Sequence, residues 1–224
     1  MIFVKSTPCF LLIHLLSKNK ISMKKILHIV SSPRKQESQS TNLGNDIINK
    51  LQKRYPGSTV TVNDVVENDY AHLSLSHLAG YFAPVENLDE QHRWAAIASD
   101  AAVAQIAEAD LIVISVPVYN FNMPSALKAW IDHIVRAGKT FSYATGKPEG
   151  LLHNKKVYLA IASHGVYTDG PTKGWDFAEP YLRFILGFLG ITDITTFRIE
   201  GVGVPGVKET AVQKGLESVA AALA

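Results

Sequence analysis

The feature that most constrains the fold is the run Leu111-Ile112-Val113-Ile114-Ser115-Val116, apolar but for one serine. A strand with one wet face alternates apolar and polar residues. A continuous run rich in β-branched side chains is instead buried on both faces, as in a parallel sheet covered by helices. With that run at 110–116, four further short runs at 26–31, 58–63, 156–163 and 193–200 make five expected strands. Helical patterns lie at 42–55, 90–107, 125–137, 177–189 and 208–223, and Pro56-Gly57, Gly138 and Gly190 stop three of them. Residues 64–88 are the least periodic. They carry His72, His77, Tyr81, Phe82 and Pro84, and read as an insertion with a short helix. Strands alternating with helices, joined by right-handed crossovers, give an α/β fold. The expected form is a doubly wound five-stranded parallel sheet of order 2-1-3-4-5 with helices on both faces. Ligands in that layout sit at the carboxyl ends of strands 1, 3 and 4.

A chain of 224 residues suits one domain. Lys plus Arg (22) against Asp plus Glu (20) leaves a net charge of +2, far from the basic stripe of a nucleic-acid binder. The single cysteine, Cys9, excludes an internal disulfide and a cysteine-based metal site, and fits a reducing, cytoplasmic compartment. Residues 1–22 hold one apolar run, 9–16, broken by His14 and too short to span a bilayer. No A-x-A-like cleavage site follows it, as a secretory signal would require. Met23 directly precedes Lys24-Lys25 and the first strand, so residues 1–22 are expected to be an extraneous extension and 23–224 the domain.

Three loops fall at the expected ligand-binding ends. Ser31-Ser32-Pro33-Arg34-Lys35-Gln36-Glu37-Ser38-Gln39-Ser40-Thr41-Asn42 runs into the first helix, whose free N–H groups and positive dipole end suit a phosphate. Helix capping alone would call for the same hydroxyls, so this segment by itself supports either reading. Pro117-Val118-Tyr119-Asn120-Phe121-Asn122-Met123-Pro124 offers two aromatics and two amides between prolines, suited to a flat heterocycle, with little core there for the aromatics to fill. Leu127, Trp130, Ile131 and Ile134 follow at helical spacing and read as core. Ser163-His164-Gly165-Val166 follows strand 4. Gly165 permits a turn with N–H groups aimed at a ligand, and His164 is either a source of positive charge beside it or a satisfied loop histidine.

These motifs, Ser-Ser-x5-Ser-x-Ser, Pro-x-Tyr-Asn-Phe with Leu-Lys-x-Trp-x-Asp, and Ser-x-Gly, resemble the FMN-dependent NADH-azoreductase family of flavodoxin-like NAD(P)H:quinone oxidoreductases. The resemblance runs from Met23 to Ala224 and includes Arg136-Ala137-Gly138-Lys139-Thr140-Phe141 and Pro148-Glu149-Gly150-Leu151. It implies that Ser32, Ser38, Gln39 and Ser40 hold the FMN phosphate. Val118, Tyr119, Asn120 and Phe121 then hold the isoalloxazine edge, and Ser163, His164, Gly165 and Val166 its pyrimidine end. His164 and Val166 stand where the family often has Arg and Gly, which bears on the backbone contacts made there. The family is dimeric, with each pocket completed across the interface, and Tyr143 and Phe188 fall at its aromatic wall positions. The implied activity is ping-pong transfer of a hydride from NADH through FMN to quinones, with azo compounds cleaved to amines over two such cycles. No side chain is needed as nucleophile, and His164 is a candidate modulator.

Gly201-Val202-Gly203-Val204-Pro205-Gly206 fits G-x-G-x-x-G, but no strand follows its helix and no acidic residue stands about 20 positions on, so it reads as a strand-to-helix turn. A flavodoxin-like electron carrier without a substrate pocket is the alternative function, and such carriers are strongly acidic. A flavin-free binding protein would use the loops as scaffold only. There is no Gly-x-Ser-x-Gly for a hydrolase, and His72, His77 and His92 lack metal-ligand spacing and read as surface or loop residues.

Overall fold

The computed structural model describes residues 23–68, 70–82 and 89–224. The extension 1–22 with Cys9, together with Pro84 and the side chains of Phe82 and His92, lies outside the described residues. In chain order the elements are β1 Lys25–Val30, α1 Gln39–Arg54, β2 Thr59–Asp64, α2 Leu75–Phe82, α3 Glu90–Glu108, β3 Leu111–Pro117 and α4 Ser125–Ile134. There follow β4 Phe141–Ser142, β5 Glu149–Gly150, β6 Lys156–Ala162, α5 Ala178–Phe188, β7 Asp193–Ile199 and α6 Lys208–Ala222. The main sheet has the order β2-β1-β3-β6-β7, parallel throughout, which is the expected 2-1-3-4-5.

All seven residues of β3 are buried, as its unbroken apolar run requires. Side chains that alternate along the strands feed two cores. Ile112, Ile114, Leu159 and Ile161 pack on one face against Ile106 of α3, Leu127, Trp130 and Ile134 of α4 and Leu182 and Leu186 of α5. On the other face Ile26, Val113 and Ala160 meet Leu43, Ile47 and Leu51 of α1 and Ala211 and Val219 of α6. Each large aliphatic side chain buried in this way contributes about 1.5–3 kcal/mol.

Three local differences from the sequence reading have simple causes. First, α1 starts at Gln39 rather than Asn42, because Ser38 is its N-cap and its Oγ accepts a hydrogen bond from Thr41 N. Second, α4 ends at Ile134 rather than Ala137, where Thr140 Oγ1 accepts from Arg136 N at 2.9 Å and turns the chain. Third, the 64–88 insertion does contain a short helix, α2. Its His77 is half-buried rather than a surface residue, with its ring edge-on to His133 at 5.3 Å.

The α1 face also buries a polar pair. His28 on β1 and Ser115 on β3 share a hydrogen bond of 2.8 Å between Nε2 and Oγ. Burial pushes the His28 imidazole down to about 4, so it is neutral at pH 7. Gly44 of α1 rides directly over the pair. A Cβ there would lie 2.2 Å from Ser115 Oγ and 2.7 Å from His28 Nε2. Gly44→Ala is therefore expected to destabilise by about 1–3 kcal/mol despite alanine's better helix propensity, as overpacking outweighs it. Urea denaturation would measure this, and an unchanged or raised midpoint would contradict it.

Candidate functional site

The carboxyl ends of β1, β3 and β6 carry the three loops. After β1, Ser31 Oγ donates to Ser115 O at 2.7 Å and ties the loop to β3. A 3-10 turn over Lys35–Glu37 then leads to Ser38. Ser32, Ser38 and Ser40 are buried, Ser38 Oγ lies 3.0 Å from Ser40 Oγ, and Gln39 is half-buried. Thr41 N is taken by the cap, whereas the amides of Gln39 and Ser40 have no acceptor among the described residues, as expected in a first helical turn. Thr41 Oγ1 is buried and has no partner among the described residues.

After β3, Tyr119 N donates to Asn122 O at 2.8 Å and Asn122 N to Tyr119 O at 3.0 Å, closing a two-residue turn. Its central residues Asn120 and Phe121 have φ of +48° and +65°, the left-handed pair of a type I′ turn. Asparagine tolerates that region, while phenylalanine is rarely found there, so the surrounding structure must hold Phe121 in place. Phe121 O accepts from Phe177 N at 3.1 Å, and its ring packs edge-on against Trp175 and Tyr167. Tyr119 and Phe121 are exposed rather than core, at 37% and 43%. Val118 is half-buried, its N–H spent on Ala162 O, while the amides of Asn120 and Phe121 have no acceptor among the described residues.

After β6 the carbonyls turn inward. His164 O accepts from Gly203 N, Gly165 O from Gly201 N and Ser163 Oγ, and Val166 O from Thr172 Oγ1. The amides of His164, Gly165 and Val166 have no acceptor among the described residues. The G-x-G-x-x-G segment is the expected strand-to-helix turn with a further use, since the exposed His164 ring rests on Gly203. A Cβ on Gly203 would lie 1.8 Å from His164 Cε1.

An ion network missed by the sequence reading holds this third loop. Arg198 of β7 pairs with Asp176 and Glu179 and lies 3.2 Å from Glu200, whose carboxylate accepts from Tyr167 N at 2.9 Å and Thr168 Oγ1 at 2.6 Å. Burial works against the Glu179 carboxylate, but hydrogen bonds from Thr196, Arg198 and Arg183 outweigh it and hold the group below its ordinary value. These residues are scattered over 176–200, and no single motif marks them.

The first two loops border a cavity of about 670 Å³, a size ordinary for a small-molecule site. Tyr119 and Asn120 line it, and the Tyr119 hydroxyl reaches to 3.4 Å from Ser32 Oγ, linking the first two loops. The Ser38–Ser40 cradle and the Ser163–Val166 turn are not part of its lining. Met123, Ser125, Lys128, Tyr181 and Val66 complete the walls; Met123 lies in the second loop and Lys128 in the Leu-Lys-x-Trp-x-Asp motif, but the sequence assigned none of the five to the site. Tyr143 and Phe188 stand apart from the cavity. Both pack on Phe141, with ring centroids at 5.4 and 4.8 Å, and Tyr143 is 59% exposed.

Buried hydroxyls and two free amides at a helix start suit a phosphate. Five further free amides on the other two loops suit the acceptor-rich edge of a flat heterocycle. FMN combines both groups, and the residues present fit it.

The sheet order and the three loops at its carboxyl edge define a class. A family model described as a flavodoxin-like fold matches residues 24–223, and the chain belongs to that family. Among its relatives, an FMN-dependent NADH:quinone oxidoreductase of Beijerinckia indica is 42% identical over 202 residues, covering 88% of this chain and 98% of the relative. The crystal structure of an azoreductase from Bacillus anthracis matches at 30% identity with a TM-score of 0.83, covering 90% of this chain and 99% of that one. An FMN-dependent NADH-azoreductase from the same species, in complex with FMN, matches at 25% identity and a TM-score of 0.80, covering 89% and 97%. Among the described residues no helix is long and apolar enough to cross a membrane.

Proposed function

We propose that this chain is an FMN-dependent NADH:quinone oxidoreductase that also cleaves aromatic azo bonds. The observation that carries the reading is the set of seven free amides on three loops at the carboxyl ends of β1, β3 and β6. Ser32, Ser38, Gln39 and Ser40 would hold the phosphate of FMN, Val118 to Phe121 one edge of its ring system, and Ser163, His164, Gly165 and Val166 the pyrimidine end. Bound FMN supplies two-electron hydride chemistry between NADH and the acceptor. The protein orients the reactants and places fixed N–H dipoles where negative charge accumulates. The φ values of Asn120 and Phe121 preset two of those dipoles. Val166 keeps its N–H available although it carries a side chain where the family often has glycine. The aromatic and proline walls of the cavity exclude water from a flat substrate.

The protein would act as a homodimer in the cytoplasm, on small molecules and not on nucleic acid. Tyr143 and Phe188, set apart from the cavity of their own subunit, would complete the partner's pocket. Sedimentation at micromolar concentration is expected to give twice the chain mass.

The function is tested by incubating the protein with FMN, desalting, and recording the visible spectrum anaerobically before and after NADH. A retained yellow band that bleaches with NADH and recovers with a quinone is expected. A band that NADH leaves unchanged would favour the electron carrier. Asn120→Ala and Asn120→Gly should both weaken FMN binding about tenfold, the value of one hydrogen bond to a charged or strongly polar group. The glycine variant keeps the left-handed turn. If only the alanine variant loses FMN, the backbone rather than the amide side chain is what matters at this position.

A further inference from the structure

Among the described residues Lys128 is the only charged one lining the cavity, whose other walls include Pro33, Val66, Met123, Pro124 and Tyr181. An apolar, aromatic slot with one cation selects ligands that are flat, apolar and negatively charged at one edge. The ammonium is not left to wander. Asp132, one turn along α4, accepts from its Nζ at 2.6 Å, and the Tyr181 phenol interacts with the same group. Both members of the ion pair remain partly open to solvent, Lys128 at 46% and Asp132 at 32%, so the lysine keeps hydrogen-bonding capacity toward a ligand. Nothing in the hydride chemistry requires a cation at this wall.

We propose that Lys128 sets acceptor preference, favouring aromatic acceptors that carry a sulfonate or carboxylate over neutral ones. This rests on the quinone and azo reductase reading, and it names the class of acceptor within that reading. The anionic group contacts Lys128 Nζ while the ring occupies the apolar slot. Asp132 positions the lysine and, being itself negative, limits how strongly it binds anions.

The pyrophosphate of NADH is a second source of negative charge, so the test separates the two. Naphthoquinone-2-sulfonate is titrated into the FMN-loaded protein without NADH, alongside menadione as the neutral comparison. Lys128→Met should raise the dissociation constant for the sulfonate about fivefold to tenfold relative to menadione, the range of a partly exposed charged contact. Lys128→Arg should restore most of it, and Asp132→Asn should tighten sulfonate binding. In turnover, the ratio of kcat/KM for sulfonate over menadione should fall by a similar factor. Equal shifts for both quinones, or a shift confined to the KM for NADH, would overturn the proposal. Failure of the wild-type protein to oxidise NADH with either quinone would instead overturn the function on which it rests.

Discussion

Replacing Arg198 by methionine should lower stability by about 3–5 kcal/mol and the melting temperature by about 10 °C, the effect of removing one partner from a buried ion cluster in a domain of this size. The side chain is only 12% exposed, and three carboxylates converge on it. Methionine keeps the volume but leaves Asp176, Glu179 and Glu200 facing one another with Arg183 as the remaining cation, 2.7 Å from Glu179. Arg198→Lys should recover only part of the loss, because an ammonium cannot serve three carboxylates as the guanidinium fork does. The cluster also sets the site. Glu200 anchors Tyr167 and Thr168, and Asp176 Oδ1 accepts from Ala178 N and Glu179 N to start α5. The loop carrying Ser163 to Val166 runs directly into the first of these anchors, so the methionine variant should also lose FMN affinity. Mild acid should partly rescue its stability. With Arg198 gone Glu179 loses part of what holds it below its ordinary value, and protonating it relieves the repulsion. A thermal shift within 2 °C of wild type would show that the cluster contributes little.

That cluster also marks where reading the sequence stops. The five strands and their order were legible because β-branched runs and Pro or Gly stops are local signals, and the run through Val113 and Ile114 left no room for a half-exposed strand. The three loops were legible because topology alone puts them at one edge. The β4–β5 ribbon was not, since two-residue strands have no period to detect. Nor was the wall formed by Val66, Lys128 and Tyr181, which span more than 100 positions of sequence and meet only in the folded chain. The start of α1 was misplaced by reading Ser38 to Asn42 as loop, when the serine hydroxyl is what lets the helix begin there.

Stability should also fall on acidification, by about 3 kcal/mol between pH 7 and pH 4 from His28 alone. Burial pushes its imidazole down to about 4 in the folded protein, from the ordinary 6.5 it keeps when unfolded. Below 6.5 the unfolded chain takes up a proton that the folded chain refuses, so stability is fully present above that pH. It declines steadily as pH falls toward 4, and changes no further through this group once both states are protonated. His133, also held low by burial, adds loss in the same direction, and so does Glu179 at the acid end. The informative quantity is therefore the difference between wild type and His28→Gln, which keeps a hydrogen-bonding group near Ser115 Oγ but cannot take up the proton. The variant is expected to be less stable at pH 7, where the native imidazole fits beneath Gly44, and to close most of that gap by pH 4. Parallel urea-derived stability curves for the two proteins across this range would mean that the buried imidazole is protonated in the fold, and would remove the reason for a neutral histidine at the centre of the sheet.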